Sequence, residues 1–236
     1  VAGALDLVGA ITVDARGDQS CGRAAGVVAA GTVDLRGPAT EVWGADGDQT
    51  ANGPGDVVAG QPAALASGLY SERDLETIRA FARRRGTYRR GAVSFNAANP
   101  LPSGVVFVDS QDGPAIGPAT SGTDLASVTI ETGAAPDGVF RGWLIVNGSI
   151  AITGSMNMRG LVYAAGDLSA TPLGPTWVSG QLIAQHATGG GATALRASAL
   201  GSLAITRSCA DVATGAGEVP SGWFVKAGSY REAMAP

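Results

Sequence analysis

The sequence has few ionisable side chains. Charged residues make up 15% of its 236 positions, the net charge is −4, and His186 is the single histidine. A nucleic-acid partner needs a basic face against its phosphates, so this balance argues against one. A Ser–His–Asp hydrolase would have to use His186, but the chain has no G-x-S-x-G motif, and we interpret His186 as an exposed or loop residue. We therefore predict a protein that is not an enzyme and that needs no cofactor.

Cysteine is equally scarce, since only Cys21 and Cys209 are present. Two thiols this far apart do not make a zinc site. They are either a disulfide that ties the two ends of the domain together or two buried free thiols. In the chain-entropy model, closing so long a loop stabilises the fold by at most about 5 kcal/mol. We predict the disulfide, and a disulfide implies a location outside the cytoplasm.

Long apolar runs are also absent. No run approaches the eighteen residues that a membrane-spanning helix needs. The sequence begins at Val1 directly in a strand-like pattern, without a signal peptide. We therefore expect a mature or trimmed chain.

Glycine, in contrast, is abundant, with 36 of the 236 residues, about twice the usual share. Five glycines recur at a spacing of six residues: Gly142, Gly148, Gly154, Gly160 and Gly166. Apolar residues follow each of them by two and four positions, an alternation that is typical of a short strand with one buried face. Glycine would allow the bend to the next strand. Because no hairpin motif separates the strands, the pattern predicts a parallel β-solenoid, in which each strand pairs with the strand one turn later.

The spacing also predicts the length of each turn, or rung. Three blocks of six residues make a rung of about eighteen residues. The next rung, from Gly160 to Gly180, is longer and contains a proline-bearing loop. Segments 27–44 and 162–180 resemble each other, so the pattern extends well beyond its clearest part. We predict one mainly β domain over residues 1–236, with its most regular rungs at about 142–185.

One stretch breaks this pattern and predicts an inserted or capping α-helix at about residues 72–85. Ser71 followed by Asp74 resembles a capping box, and Gly86 is suited to end the helix. Apolar residues lie at helical spacing along it: Leu75, Ile78, Phe81 and Ala82. We hypothesise that this helix covers one end of the solenoid, where a terminal rung would otherwise expose unpaired backbone.

Basic residues gather where this helix ends. Five of the sixteen fall within eight positions: Arg83, Arg84, Arg85, Arg89 and Arg90. Arginines in the last turn complement the helix dipole, so a solvated helix end explains them. The functional alternative is an interaction patch for an acidic partner.

The loop ADGDQTANGPGD, residues 45–56, is rich in oxygen-bearing side chains. Four of them are calcium candidates: Asp46, Asp48, Asn52 and Asp56. An EF-hand loop that starts at Asp46 would need glycine where Ala51 stands and glutamate where Val57 stands. A polar loop ordered by turns of its Asp and Asn side chains is the alternative, and we predict no metal site.

Several motifs, in order, resemble the extracellular part of PilX-like minor pilins of bacterial type IV pili. They are WGADGD, SERDLETIRAFA, GTYRRG, GVVFVDS, GWLIVNGSIAITGSMNMRGLVYAAGD and the ending GWFVKAGSYREAMAP. The ending is similar to a GSW-R-E close, with Tyr230 in place of the usual tryptophan. The resemblance implies a non-enzymatic extracytoplasmic subunit that takes part in pilus assembly, adhesion or DNA uptake. It also implies an N-terminal membrane helix, which this sequence does not contain.

The partners implied are other pilus subunits or ligands on cell surfaces, and the setting is the periplasm, the pilus or the cell surface. We expect the C-terminal segment, about residues 219–236, to close or cap the solenoid. One alternative function is a carbohydrate-active or carbohydrate-binding β-helix, for which Asp109, Asp112 and Asp167 would have to meet on one face. A second is a bactofilin-like solenoid that stacks end to end into a polymer.

Overall fold

The computed structural model describes residues 1–47, 49–61, 70–113, 120, 124–187, 192–197 and 201–215, and the backbone alone at 223–226 and 229–232. The calcium candidate Asp48 and most of the predicted C-terminal cap lie outside the described residues. Within them, neither helix is long and apolar enough to cross a lipid bilayer.

The strands of the first part of the chain are β1 (Ala4–Val8), β2 (Ile11–Asp14), β3 (Val27–Val28), β4 (Val33–Arg36), β5 (Thr40–Trp43) and β6 (Val57–Val58). Helix α1 (Glu72–Arg85) follows. The next strands are β7 (Tyr88–Arg90), β8 (Ala92–Phe95), β9 (Gly104–Asp109), β10 (Ala126–Ile130), β11 (Val139–Val146), β12 (Gly148–Ile152), β13 (Asn157–Ala164), β14 (Leu168–Ala170), β15 (Pro175–Ala184), β16 (Ala192–Arg196) and β17 (Ser202–Arg207). Helix α2 (Cys209–Gly215) and strands β18 (Trp223–Lys226) and β19 (Ser229–Glu232) end the list.

Two all-parallel sheets form the body of the molecule. The first sheet has the order β4-β1-β16-β14-β12-β10-β8, and the second has the order β5-β2-β17-β15-β13-β11-β9-β7. In addition, β3 pairs in parallel with β6, and β18 pairs antiparallel with β19. The chain passes from one large sheet to the other on each turn, so the predicted mainly β, solenoid-like fold is confirmed.

The rung lengths agree with the glycine spacing. Gly142 on β11 lies opposite Gly160 on β13, eighteen positions later in the chain. Gly160 in turn lies opposite Gly180 on β15, which gives the longer rung of twenty residues. Each of these rungs contributes two strands, however, and not the three that the blocks of six residues suggested.

The predicted inward-facing residues form the core between the sheets. All ten apolar positions that follow the five glycines are buried in one cluster: Leu144, Val146, Ile150, Ile152, Met156, Met158, Val162, Ala164, Leu168 and Ala170. Removal of this apolar surface from water is the dominant favourable term in folding.

The interpretation of glycine as the residue of each bend was wrong at Gly142 and Gly160. Both lie inside strands, β11 and β13, with φ of +154° and +129°. A Cβ at Gly142 would lie 1.9 Å from the carbonyl oxygen of Gly104, and one at Gly160 would lie 2.0 Å from that of Gly142. We call Gly104, Gly142, Gly160 and Gly180 the glycine column. Here glycine permits both a backbone conformation and a close approach that other residues resist.

The order of the strands along the solenoid differs from their order in the chain. We call residues 1–58 (β1–β6) the N-terminal block and residues 88–207 (β7–β17) the second block. Strand β1 pairs with β16, and β2 pairs with β17, so the N-terminal block stacks onto the last strands of the second block. The chain therefore starts one strand from one end of the stack, builds that end with β4 and β5, and resumes with β7 and β8 at the opposite end.

A disulfide joins the two blocks where they meet. Cys21 and Cys209 are bonded, with their Cα atoms 6.1 Å apart. Next to it, the Asp18 carboxylate accepts hydrogen bonds from the backbone N–H groups of Cys209 (2.7 Å) and Ala210 (3.1 Å) at the start of α2. Arg207 donates to the carbonyl oxygen of Gly22. The predicted pairing of the two cysteines is thus confirmed.

Helix α1 has the predicted bounds and caps. The Ser71 hydroxyl accepts from the Asp74 N–H, the Asp74 carboxylate accepts from the Ser71 N–H, and Gly86 ends the helix with φ of +73°. Its apolar stripe packs on the outer face of the second sheet, chiefly against β7 and β9. The helix therefore packs on the outer face of the second sheet next to its terminal strand β7, so it lies near one end of the solenoid, as hypothesised, but its apolar stripe covers the sheet face.

Candidate functional site

A second apolar cluster lies on the outer face of the second sheet. Trp143 and Ile145 of β11 and Leu161 and Tyr163 of β13 are buried there under α1 and α2. The Trp143 indole donates a 2.8 Å hydrogen bond to the carbonyl oxygen of Val212 in α2. Sequence analysis missed this cluster, although the continuous apolar runs WLIV and LVYA are typical of strands that are buried on both faces.

A buried ion pair links α1 to the outer face of the second sheet. Arg79 Nε lies 2.7 Å from Oδ2 of Asp109, and neither side chain is appreciably exposed. Asp109 also accepts hydrogen bonds from Asn147 Nδ2 and from the Tyr88 hydroxyl, each at 2.9 Å. These bonds satisfy the buried carboxylate, as a buried charge requires. Asp109 thus has a structural role.

A cavity of about 490 Å³ separates the two helices on the same face. Phe81 and Arg85 line it from the end of α1, and Asp211 lines it from α2. Arg141 of β11 and Arg159 of β13 line it from the sheet, next to Gly104 of the glycine column. We call it the arginine cavity.

The arginine cavity concentrates positive charge. Arg141 and Arg159 lie directly opposite each other on neighbouring parallel strands, which are about 4.8 Å apart. Like charges in this arrangement repel. Arg159 has a carboxylate oxygen of Asp211 at 4.0 Å, whereas Arg141 has neither a hydrogen bond nor an ion pair within the described part of the chain. Among the described residues, the charged side chains that line the cavity are Arg85, Arg141, Arg159 and Asp211.

Of the predicted basic patch, only Arg85 lines this cavity. Arg83 and Arg90 contact Tyr88 instead, with Arg83 Nη2 at 3.1 Å and Arg90 Nε at 2.8 Å from its hydroxyl oxygen. This hydrogen bond to Tyr88 raises the pKa of Arg90 above its ordinary value. Arg89 donates to the carbonyl oxygens of Gly86 and Tyr88 on the edge strand β7. Arg84 is exposed.

The loop with the calcium candidates closes the edge of the second sheet. Asn52, a turn residue, pairs with the outer edge of β5. Its N–H donates to the Val42 carbonyl (2.8 Å), its Oδ1 accepts from the Val42 N–H (2.7 Å), and its Nδ2 donates to the Thr40 carbonyl (3.1 Å). The buried Asp56 carboxylate accepts from the N–H groups of Gly44 and Gly53. Asn52 and Asp56 therefore order the loop, and the described residues hold no group of three or more His, Cys, Asp or Glu that suits a metal ion.

His186 lies in a loop, as interpreted from the sequence, but it is buried and not exposed. Its Nδ1 is 2.7 Å from Oδ1 of Asp167, and its Nε2 is 3.1 Å from the Thr193 hydroxyl. The order hydroxyl–imidazole–carboxylate is that of a nucleophile, a base and an orienting acid. The Thr193 residue is only 2% exposed, however, so its oxygen is closed to a substrate in this conformation. We interpret the three residues as a hydrogen-bonded group that links the start of β14 and the end of β15 to β16.

The chain was compared with known proteins by sequence and by structure. No family model matches it, and neither a curated protein nor a solved structure gives a match.

Proposed function

We propose that the chain is a non-enzymatic structural or adhesion subunit that acts outside the cytoplasm, similar to the soluble domain of a type IV pilus minor pilin. The disulfide between Cys21 and Cys209 is the observation that carries this proposal. Disulfides persist in oxidising compartments and are rare in the cytosol. This one joins two blocks whose strands pair directly, so the assembled solenoid is the form that it stabilises.

The described surface supports a binding role for the flank of the solenoid. Segment 142–167, which carries much of the resemblance to minor pilins, forms the most regular rungs. These rungs also provide Arg141 and Arg159, the two sheet residues that bring charge to the arginine cavity. Because the cavity lies on a sheet face between two helices, a partner can bind there without a conformational change in the protein.

The bactofilin-like alternative requires end rungs that pair with another copy. On the second sheet, the outer edge of β5 is already occupied by Asn52, which bonds to the backbone of Thr40 and Val42. This cap opposes end-to-end stacking through the edge of β5. The carbohydrate-binding alternative is favoured by a specific observation, the arginine cavity, and it is compatible with an adhesive role.

The test is to locate the protein in the cells that make it. We expect it in the surface filaments that shear from the cells, where it co-purifies with pilus subunits and has no free thiol after denaturation without reductant. A protein found in the cytosol, with both cysteines open to alkylation under the same conditions, would overturn the proposal. Recovery outside the cell without any filament would retain the location and remove the pilus role.

A further inference from the structure

We propose that the arginine cavity binds an acidic polysaccharide, through the carboxylates of its uronic acid residues. This inference rests on the proposed adhesive role and names the ligand of that role. Four features carry it: an arginine without a partner in the described chain, the in-register pair of arginines, the hydroxyl groups that line the cavity, and an aromatic ring close to Arg159.

The repulsion between Arg141 and Arg159 points to an anionic ligand. The two side chains start from directly opposite positions of adjacent strands and lie on the same face of the sheet, an arrangement in which like charges repel. The Asp211 carboxylate oxygen is 4.0 Å from the Arg159 guanidinium, so it offsets that charge only weakly. Among the described residues, Arg141 has no carboxylate partner. A carboxylate between the arginines would replace repulsion by charge-assisted hydrogen bonds, for which the planar guanidinium is well suited.

The rest of the lining suits a ligand that carries many hydroxyl groups. Thr87, Ser103 and Thr214 line the cavity together with the Asp211 carboxylate. Thr87 donates its hydroxyl proton to the Val105 carbonyl oxygen, and Thr214 donates to that of Ala210, so both oxygens remain able to accept. Sugar hydroxyls can donate to these oxygens and to Asp211. An isolated phosphate or sulfate ion chiefly accepts hydrogen bonds and would leave these acceptors without a donor.

The spacing along the solenoid suits an extended polysaccharide rather than a nucleic acid. Arg141 and Arg159 repeat at the rung spacing of about 4.8 Å, which is close to the advance of one sugar unit. On the following strand, β15, the Trp177 ring lies 5.6 Å from the Arg159 guanidinium and offers a flat surface to a sugar ring. The chain as a whole carries a net charge of −4, whereas a nucleic acid needs an extended basic face.

The first experiment measures binding of the purified full chain to oligogalacturonate by isothermal titration calorimetry, with a neutral dextran oligosaccharide as the control ligand. We expect binding to oligogalacturonate alone, and we expect it to weaken as salt is added. The variant Arg141→Gln should lose affinity by about tenfold or more, because it removes one charge-assisted pair. The variant Arg84→Gln is the matched control, since it removes the same charge from an exposed site that does not line the cavity.

A structural role for Arg141 would give a different result. Because Arg141 has no partner in the described chain, Arg141→Gln should melt at the same temperature as the wild type or at a higher one in the absence of ligand. Equal affinity losses in Arg141→Gln and Arg84→Gln would overturn the proposal, and so would equal binding to dextran. Tighter binding to a short single-stranded RNA would assign the cavity to another class of ligand and would also overturn it. The titration needs no filament or cell, so its failure is distinguishable from a failure of the proposed location.

Discussion

The N-terminal block and the second block build the same two sheets in different ways. In the second block, rung length varies: it is thirty-eight residues between β9 and β11, eighteen between β11 and β13 and twenty between β13 and β15. At the two short rungs, the glycine column lets neighbouring strands approach closely. In the N-terminal block, Leu5 lies opposite Val33 and Ile11 lies opposite Thr40, so a rung takes twenty-eight or twenty-nine residues. The extra residues form loops whose order depends on specific polar side chains.

Those polar contacts are concentrated at the two borders of the N-terminal block. At the outer border, Asn52 occupies the edge of β5. At the inner border, the disulfide and Asp18 hold the block to α2, and Asp6 bridges Arg36 of β4 and Arg196 of β16 at 2.9 and 3.1 Å. The comparison indicates that the second block is stabilised by dense packing, whereas the N-terminal block depends on a few bonds that single substitutions can remove.

The largest expected effect is in the glycine column. The substitution Gly160→Ala places a Cβ 2.0 Å from the backbone oxygen of Gly142, at a φ of +129°. The neighbour is backbone and cannot turn away, so we expect a loss of about 4 kcal/mol or more in the free energy of unfolding, or no folded protein. Chemical denaturation of the purified variant measures this loss.

The control is Gly17→Ala in the N-terminal block, where an added Cβ would meet no atom within 4 Å. We expect a change of about 0.5 kcal/mol or less there. A cost below about 1 kcal/mol for Gly160→Ala would show that the strands of the second block can separate, and the contrast between the two blocks would then be wrong.

The second effect is at the junction of the blocks. Replacing both Cys21 and Cys209 with serine should lower the free energy of unfolding by about 2–5 kcal/mol, because the unfolded chain is no longer cross-linked. Hydrogen exchange should then rise more in β2 and β17 than in β11 and β13, since only the former border the junction. An equal rise in all four strands would mean that the two blocks open as one unit.

The third effect is at the edge of β5. Asn52→Ala removes two side-chain hydrogen bonds to β5 and leaves alanine at a φ of +65°, so we expect a loss of about 1–2 kcal/mol in the free energy of unfolding. Asn52→Gly removes the same bonds and relieves the backbone, so its loss should be smaller. Denaturation of both variants separates the two contributions. A glycine variant as stable as the wild type would show that the edge of β5 needs no cap.

The features of the fold that could be predicted from the sequence are those encoded by local periodicity. The spacing of glycine and apolar residues identified the inward-facing positions, and Ser71 and Gly86 marked the bounds of α1. The pairing of β2 with β17 joins positions that are 192 residues apart in the sequence, such as Ile11 and Leu203, and no local pattern encodes such a pairing. The order of the two blocks therefore emerged only from the structure.

The candidate site was less accessible to sequence reasoning. Arg85 belonged to the predicted basic patch, but Arg141 and Arg159 were treated only as residues that precede a glycine. Their importance comes from the register that places them opposite each other and from the two helices that border them. The single amphipathic face expected for each strand also concealed the outer cluster around Trp143, which positions α2 beside the cavity.

The smallest effect concerns Asp18 and depends on pH. Hydrogen bonds from Ser20, and then from the N–H groups of Ala210 and Cys209, hold the pKa of Asp18 well below its ordinary value of 3.8. A carboxylate whose pKa is lowered by folding stabilises the protein fully above its unfolded pKa, and this contribution is lost as the pH falls toward the folded value.

The variant Asp18→Asn should therefore be less stable than the wild type at pH 6, and the difference should shrink as the pH falls below about 4. Thermal unfolding from pH 6 to pH 2.5 measures both. Asp137→Asn, at an exposed site, controls for the loss of one negative charge. A difference between wild type and Asp18→Asn that stays constant over this range would mean that the carboxylate contributes through shape alone, and that its bonds to the start of α2 do not depend on its charge.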